Sequence, residues 1–278
     1  MRRPYPHRKL PVAAIITLAA VAVLSAAASA QGPAKTPTVT PHTWPERPVR
    51  VALIGDSVAA SVADELAAEA ARRGITLKTF TRAGCGITDG IPAGTNNASF
   101  SARCAQENEA FLVRAATEPV DAVIVMSSWE INSHTVGGTR LDFRTPAWDA
   151  WMAGQLDKIR DRFGDVPLLL ATIAPRAPLG TVSTMSPQEL DQVLRYGEFL
   201  RNHASWRTGE VGIVDVAHIL CPTDPAVCPE FFGTARPRPD LGAHFDAPGA
   251  AWFAPRMIDQ VQTAWDGIGT VVTTPPGF

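Results

Sequence analysis

Short β-branched runs, each closed by a glycine or a polar turn and followed by apolar residues at helical spacing, recur along this chain. No other feature constrains its fold as tightly. Residues 50–54 (RVALI) lead through Gly55 into a segment, 57–73, in which Ala, Val and Leu recur at helical spacing until Gly74 stops it. The alternation continues with strand-like 75–80, helical 102–116, strand-like 122–126, helical 147–163, strand-like 167–173, helical 187–203, strand-like 212–216 and helical 247–264. Five strands separated by helices predict an α/β fold of three layers, its five-stranded, mainly parallel sheet covered on both faces. Ligands bind such a sheet beyond the carboxyl ends of its strands, so chemistry is expected in the loops 55–57, 82–87, 127–133 and 174–178 and after Val216.

The N-terminus has a different character. Arg2, Arg3, Arg8 and Lys9 precede an uncharged stretch, 10–30, ending in Ala28-Ser29-Ala30, which is the layout of a secretory signal peptide cleaved after Ala30. An uncleaved anchor is the competing reading, since the stretch is just long enough to cross a bilayer, although it is rich in Ala and lacks a strong Leu/Ile/Phe run. Residues 31–48, with Pro33, Pro37, Pro41, Pro45 and Pro48, read as an extended spacer, which leaves 49–278 as one domain. Of the 278 residues, 46% are hydrophobic and 19% charged, which excludes disorder of the whole chain. The 25 Lys+Arg are matched by 27 Asp+Glu, and no basic stripe follows the first ten residues, which argues against nucleic acid as a partner.

Cys85, Cys104, Cys221 and Cys228 all lie in the part expected to be exported, where an even count argues for disulfides. Three connectivities exist, and sequence proximity favours Cys85–Cys104 with Cys221–Cys228. Zinc is the competing reading, weakened by the lack of any Cys-x-x-Cys pair and by scattered histidines. No Gly-rich phosphate loop and no cluster at metal-ligand spacing occurs, so neither a metal nor a nucleotide cofactor is expected.

The first loop reads Gly55-Asp56-Ser57. A serine where a strand turns into a helix exposes its hydroxyl and sets its backbone N–H at the positive helix end, an arrangement suited to an acyl-transfer nucleophile. Asp and Ser are equally the preferred helix caps, so the tripeptide alone is an even choice between the two readings. A nucleophilic serine needs a base, and His244 stands in Arg238-Pro239-Asp240-Leu241-Gly242-Ala243-His244 just before the last helix, with a carboxylate at hand. His7 and His42 belong to the signal and spacer. His134, His203 and His218 lack the Asp-rich setting, although His134 lies in a candidate site loop.

Gly55-Asp56-Ser57, Gly84 after the second strand, the loop after the third and the Asp/His pair before the final helix together resemble the SGNH/GDSL hydrolase superfamily from about residue 49 to 265. That resemblance implies a flavodoxin-like sheet. A closer similarity lies in Gly84-Cys85-Gly86, Cys104 with Asn108-Glu109, Ser127-Ser128-Trp129-Glu130, Arg144-Thr145-Pro146-Ala147-Trp148, and Val214-Asp215 leading to Cys221 and Cys228-Pro229. These look like the SGNH domains fused to membrane acyltransferases of the O-antigen acetylase type, particularly in actinobacteria. The resemblance implies Ser57 as nucleophile, His244 as base, Asp240 as its orienting acid, and the N–H groups of Ser57 and Gly84 as an oxyanion hole.

This chain departs from the superfamily pattern twice. The acid usually stands three residues before the histidine, whereas Asp240 stands four before His244; an extra loop residue, or a Ser–His dyad assisted by a carbonyl, accounts for this, and Asp246 better suits a helix cap. The third block offers Ser127-Ser128-Trp129-Glu130-Ile131-Asn132 in place of Gly-x-Asn-Asp, so Ser128 or Asn132 would supply the missing oxyanion donor. Trp129 would face a sugar ring or pack on the core, and Glu130 would bind a substrate hydroxyl or pair with Arg82 or Arg144. The implied function is an exported esterase or O-acyltransferase acting on acyl, above all acetyl, esters of cell-envelope glycan, with a membrane acyltransferase as a candidate partner. A glycan-binding module without turnover is the alternative, and separation of Ser57 from His244 would favour it.

Overall fold

The computed structural model of the protein describes residues 38–41, 48–93, 98–164, 166–180, 182 and 184–272. The expected signal at 1–30 and much of the expected spacer lie outside the described residues. Within that spacer, residues 38–41 form a strand, β1 (Thr38–Pro41), paired antiparallel with β10 (Gly269–Val272) at the other end of the domain.

The central sheet has the five expected strands: β2 (Val49–Gly55), β3 (Ile75–Thr81), β5 (Ala122–Met126), β8 (Leu168–Ala171) and β9 (Val211–Val214). They lie in the order β3-β2-β5-β8-β9, and every pairing is parallel. Period-2 alternation divides each strand between two cores. Val51, Leu53, Ile124 and Leu169 face α1 (Ser57–Arg72) and α7 (Ala247–Gly267), while Ala52, Ile54, Val123 and Leu170 face α3 (Asn108–Ala115), α4 (Pro146–Arg162) and α5 (Pro187–Trp206). Burial on both faces explains why the strands read as unbroken apolar runs.

Helix starts follow capping chemistry. Thr145 caps α4 ahead of Pro146, Ser186 and Glu189 form a reciprocal capping box at α5, and Asp246 accepts from the Gly249 N–H at α7. The single helix expected over 102–116 is two, α2 (Ala98–Gln106) and α3. The break at Glu107 lets the buried Asn108 turn inward, where its Oδ1 accepts from Arg82 at 2.8 Å. Strands too short to show a period, β4 (Ile91–Pro92), β6 (His134–Val136) and β7 (Thr139–Leu141), form a separate three-stranded antiparallel sheet, and a short α6 (Val216–Leu220) follows β9.

The strand order sets the site. From β2 the chain crosses to β3 on one side and then to β5 on the other, so the carboxyl ends of β2 and β5 diverge into separate loops and open a crevice between them. Asp56-Ser57 follows the first strand and Ser127-Ser128 the second.

Candidate active site

Gly55 ends β2 where a Cβ would lie 2.0 Å from the Met126 carbonyl oxygen, so only glycine keeps β2 and β5 in register at the crevice. Asp56 then caps α1, its Oδ1 accepting the Val58 N–H at 2.8 Å. The first intrahelical bond runs from Ala60 N–H to Asp56 O, which leaves the Ser57 N–H at the positive helix end without an acceptor inside the helix.

Ser57 Oγ lies 2.9 Å from His244 Nε2, and His244 Nδ1 lies 2.9 Å from Asp240 Oδ2. A carboxylate only accepts, so Nδ1 carries the proton and Nε2 is the acceptor for the Ser57 hydroxyl. The residues are 187 positions apart in sequence, brought together because β2 ends beside the loop that enters α7. The Asp240 side chain is 65% exposed, so its hold on His244 is screened by water.

The four-residue spacing has a local cause. Leu241 at φ 49° and Gly242 at φ 65° form a left-handed turn, across which Asp240 and His244 pair as an antiparallel bridge. The turn absorbs the extra residue and lays the carboxylate against the ring. Gly242 is required twice over, since its φ is left-handed and a Cβ would meet the Ala177 carbonyl oxygen at 2.0 Å. Gly242→Ala is expected to cost about 3 kcal/mol through strain and overpacking and to lower kcat/KM, read by urea unfolding beside an ester assay.

Gly84 sits at φ 76° in a loop tied down on every side. Arg82 N–H donates to Gly55 O, Cys85 N–H donates to Arg82 O, the Arg82 guanidinium donates to Gly86 O and Cys104 O, and Cys85 is bonded to Cys104. Cys221 is bonded to Cys228, so both disulfides follow sequence proximity. Gly84 is not among the residues lining the cavity described below.

The third block differs from expectation. Ser128 does not offer a free donor: its N–H and its hydroxyl both bond Asp56 Oδ2, at 2.6 and 2.7 Å. Asn132 gives one side-chain amide hydrogen to Trp129 O at 3.1 Å and retains a second, while its backbone carbonyl accepts from the buried Trp148 indole at 3.1 Å, which fastens this loop to the core. Trp129 and Asn132 line the cavity, but Glu130 does not. Glu130 is wholly buried and pairs with neither Arg82 nor Arg144, the latter meeting Asp149, Glu198 and the Arg195 carbonyl. Its Oε1 accepts the Ile87 N–H at 2.8 Å, and a Cβ at Gly86 would strike it, so Glu130 joins the third block to the Gly84 loop rather than meeting a substrate.

Burial, reinforced by the nearby Asp56 charge, raises the Glu130 pKa from 4.5 to about 7. A folded-state pKa above the unfolded one means that the proton stabilises the fold fully below pH 4.5 and that this is lost as pH rises through about 7. Glu130→Gln, which keeps the acceptor and cannot ionise, is therefore expected to gain thermal stability relative to the native chain between those pH values. The gain at pH 8 is on the order of 3 kcal/mol, and an unchanged difference across the range would contradict it. His134 is also held away from charge: burial lowers its pKa to about 4, its Nδ1 bonds Asn132 O, and its ring packs on Trp151.

A cavity of about 330 Å³ opens beside the Ser57–His244 pair, walled by apolar side chains such as Met126, Ile173 and Val193. Arg238, expected only to flank the motif, lines it and is 5% exposed; nothing in an arginine beside proline and aspartate signals burial in a sequence.

Solved structures are similar in fold to this chain. The periplasmic domain of a lipopolysaccharide acetyltransferase from Salmonella ser. Paratyphi A matches with TM-score 0.50 and 14% identity over 76% of this chain and 83% of that one. A lipase/acylhydrolase from Enterococcus faecalis matches with TM-score 0.45 and 14% identity over 77% and 96%. At 14% identity the likeness to the Salmonella domain is one of fold. No curated protein matches. The model of the SGNH domain (fused to AT3 domains) matches residues 27–258, and by that match the chain belongs to this SGNH family.

Proposed function

We propose that the chain is an extracytoplasmic serine esterase or O-acyltransferase that acts on acyl esters of cell-envelope carbohydrate. The observation that carries the reading is the hydrogen-bonded row Ser57–His244–Asp240 at the mouth of an apolar cavity. Ser57 Oγ attacks the acyl carbonyl as its proton passes to His244 Nε2, and His244 then protonates the departing alcohol. The Ser57 N–H and the second amide hydrogen of Asn132, both from residues that line the cavity, receive the oxyanion in place of Ser128. Water or a sugar hydroxyl, deprotonated by His244, releases the acyl group and restores Ser57.

Two disulfides support an oxidising compartment, and the signal-like N-terminus supports export. A family named for fusion to AT3 domains supports a membrane acyltransferase as partner, with acetyl the simplest acyl group to pass. The full chain given p-nitrophenyl acetate and a methyl glycoside is expected to release p-nitrophenol and, as a transferase, to form the acetylated glycoside seen by mass spectrometry. Release that is equal in a Ser57→Ala chain would refute the reading.

A further inference from the structure

The cavity beside Ser57 carries a charge that ester cleavage by Ser57 and His244 does not use. Apart from His244, the ionisable side chains lining it are Arg176 and Arg238, and no carboxylate lines it. Arg176 is neutralised by Glu189, at 2.6 Å. Arg238 has no such partner among the described residues: Nη1 donates to the Pro175 carbonyl at 2.8 Å, and Nη2 is buried with no hydrogen bond. Burial unopposed by any charge lowers its pKa to about 10. A desolvated guanidinium without a counter-ion is costly, and a carboxylate brought by a ligand relieves that cost through a charge-assisted hydrogen bond.

The cavity is also large for its simplest cargo. An acetyl group takes up roughly the space of two waters, ~60 Å³ at ~30 Å³ each, a small part of the 330 Å³ present. Ser57 and Arg238 line this one cavity, and the part of the substrate bound at Ser57 is the acyl carbonyl.

We infer that the acyl group ends in a carboxylate, as in a succinyl or glutaryl half-ester, with its carbonyl at Ser57 and its far carboxylate on Arg238. This deepens the proposed ester chemistry and rests on it. The step balances without a co-reactant: Ser57 Oγ bonds the carbonyl carbon, the ester C–O bond breaks, the serine proton leaves with the alcohol by way of His244, and water or a sugar hydroxyl then regenerates Ser57.

The test compares monobenzyl succinate with benzyl isocaproate, whose neutral isopropyl end has the shape of the carboxylate, by acid release from the full chain. The native chain is expected to prefer the succinate more than tenfold. In Arg238→Met the succinate-to-isocaproate ratio of kcat/KM is expected to fall on the order of 50-fold, with Arg238→Lys recovering part of it. Equal losses on both esters would make Arg238 a structural residue and overturn the inference, as would the absence of a preference in the native chain; a carboxylate on the acceptor sugar would also leave the ratio unmoved. If neither ester is cleaved, and Ser57→Ala matches the native chain, the ester chemistry itself fails. Calorimetric binding of monobenzyl succinate to the Ser57→Ala chain then decides: binding that weakens when Arg238→Met is added sustains the anion site, and no binding removes it.

Discussion

Alanine at Ser57 or at His244 is expected to bring hydrolysis of p-nitrophenyl acetate by the full chain to the uncatalysed background, a fall on the order of 10⁴-fold or more. In the proposed mechanism each substitution removes one end of the same proton transfer, between Ser57 Oγ and His244 Nε2, which lie 2.9 Å apart. The double variant is therefore expected to be no worse than either single one. Asp240→Ala is a different case. Its carboxylate orients His244 from a side chain that is 65% exposed, where water competes for the Nδ1 proton, so the loss is expected to be about 10- to 100-fold. Circular dichroism would verify that each variant is folded. Steady turnover in a folded Ser57→Ala chain would remove Ser57 as nucleophile.

The order of strands and helices was legible because buried parallel strands and amphipathic helices have unmistakable periods, and the Ser57–His244 pair because two loops of one sheet edge carried matching chemistry. Helix ends fell within a few residues of the capping signals, as at Ser186 and Asp246. What escaped was decided by tertiary contact. The break at Glu107 depends on Asn108 meeting Arg82, which is 26 positions away. The small sheet of β4, β6 and β7 has strands too short for any period. Glu130 and Arg238 have side chains that are ordinarily solvated, and only the fold buries them. Asp56 or Ser57 as a helix cap was one of two even readings of Gly55-Asp56-Ser57; Asp56 is the cap, but its second oxygen accepts from a residue 72 positions on, a pairing invisible until β2 and β5 lie side by side.

That second oxygen makes Asp56 the residue whose loss should most disturb the frame of the site. Asp56→Ala removes the α1 cap, about 1 kcal/mol, and leaves the Ser128 N–H without its acceptor, a further 1–3 kcal/mol, so unfolding by urea is expected to require about 3 kcal/mol less. Activity is expected to fall with it, because Ser57 follows directly on the displaced turn. Asparagine should not rescue the chain. Oδ1 accepts from Val58 N–H and Oδ2 from Ser128 N–H, so an amide in either orientation sets its NH₂ group against a donor, and Asp56→Asn is expected to lie nearer to alanine than to the native chain. Ser128→Ala separates holding the loop from donating to an oxyanion. It deletes the hydroxyl but keeps the N–H on Asp56, so the expected cost is about 1 kcal/mol in stability with kcat changed by less than about tenfold. A Ser128→Ala chain that stays folded yet loses turnover on the order of 100-fold would make its hydroxyl a transition-state donor, and Asp56 the group that aims it.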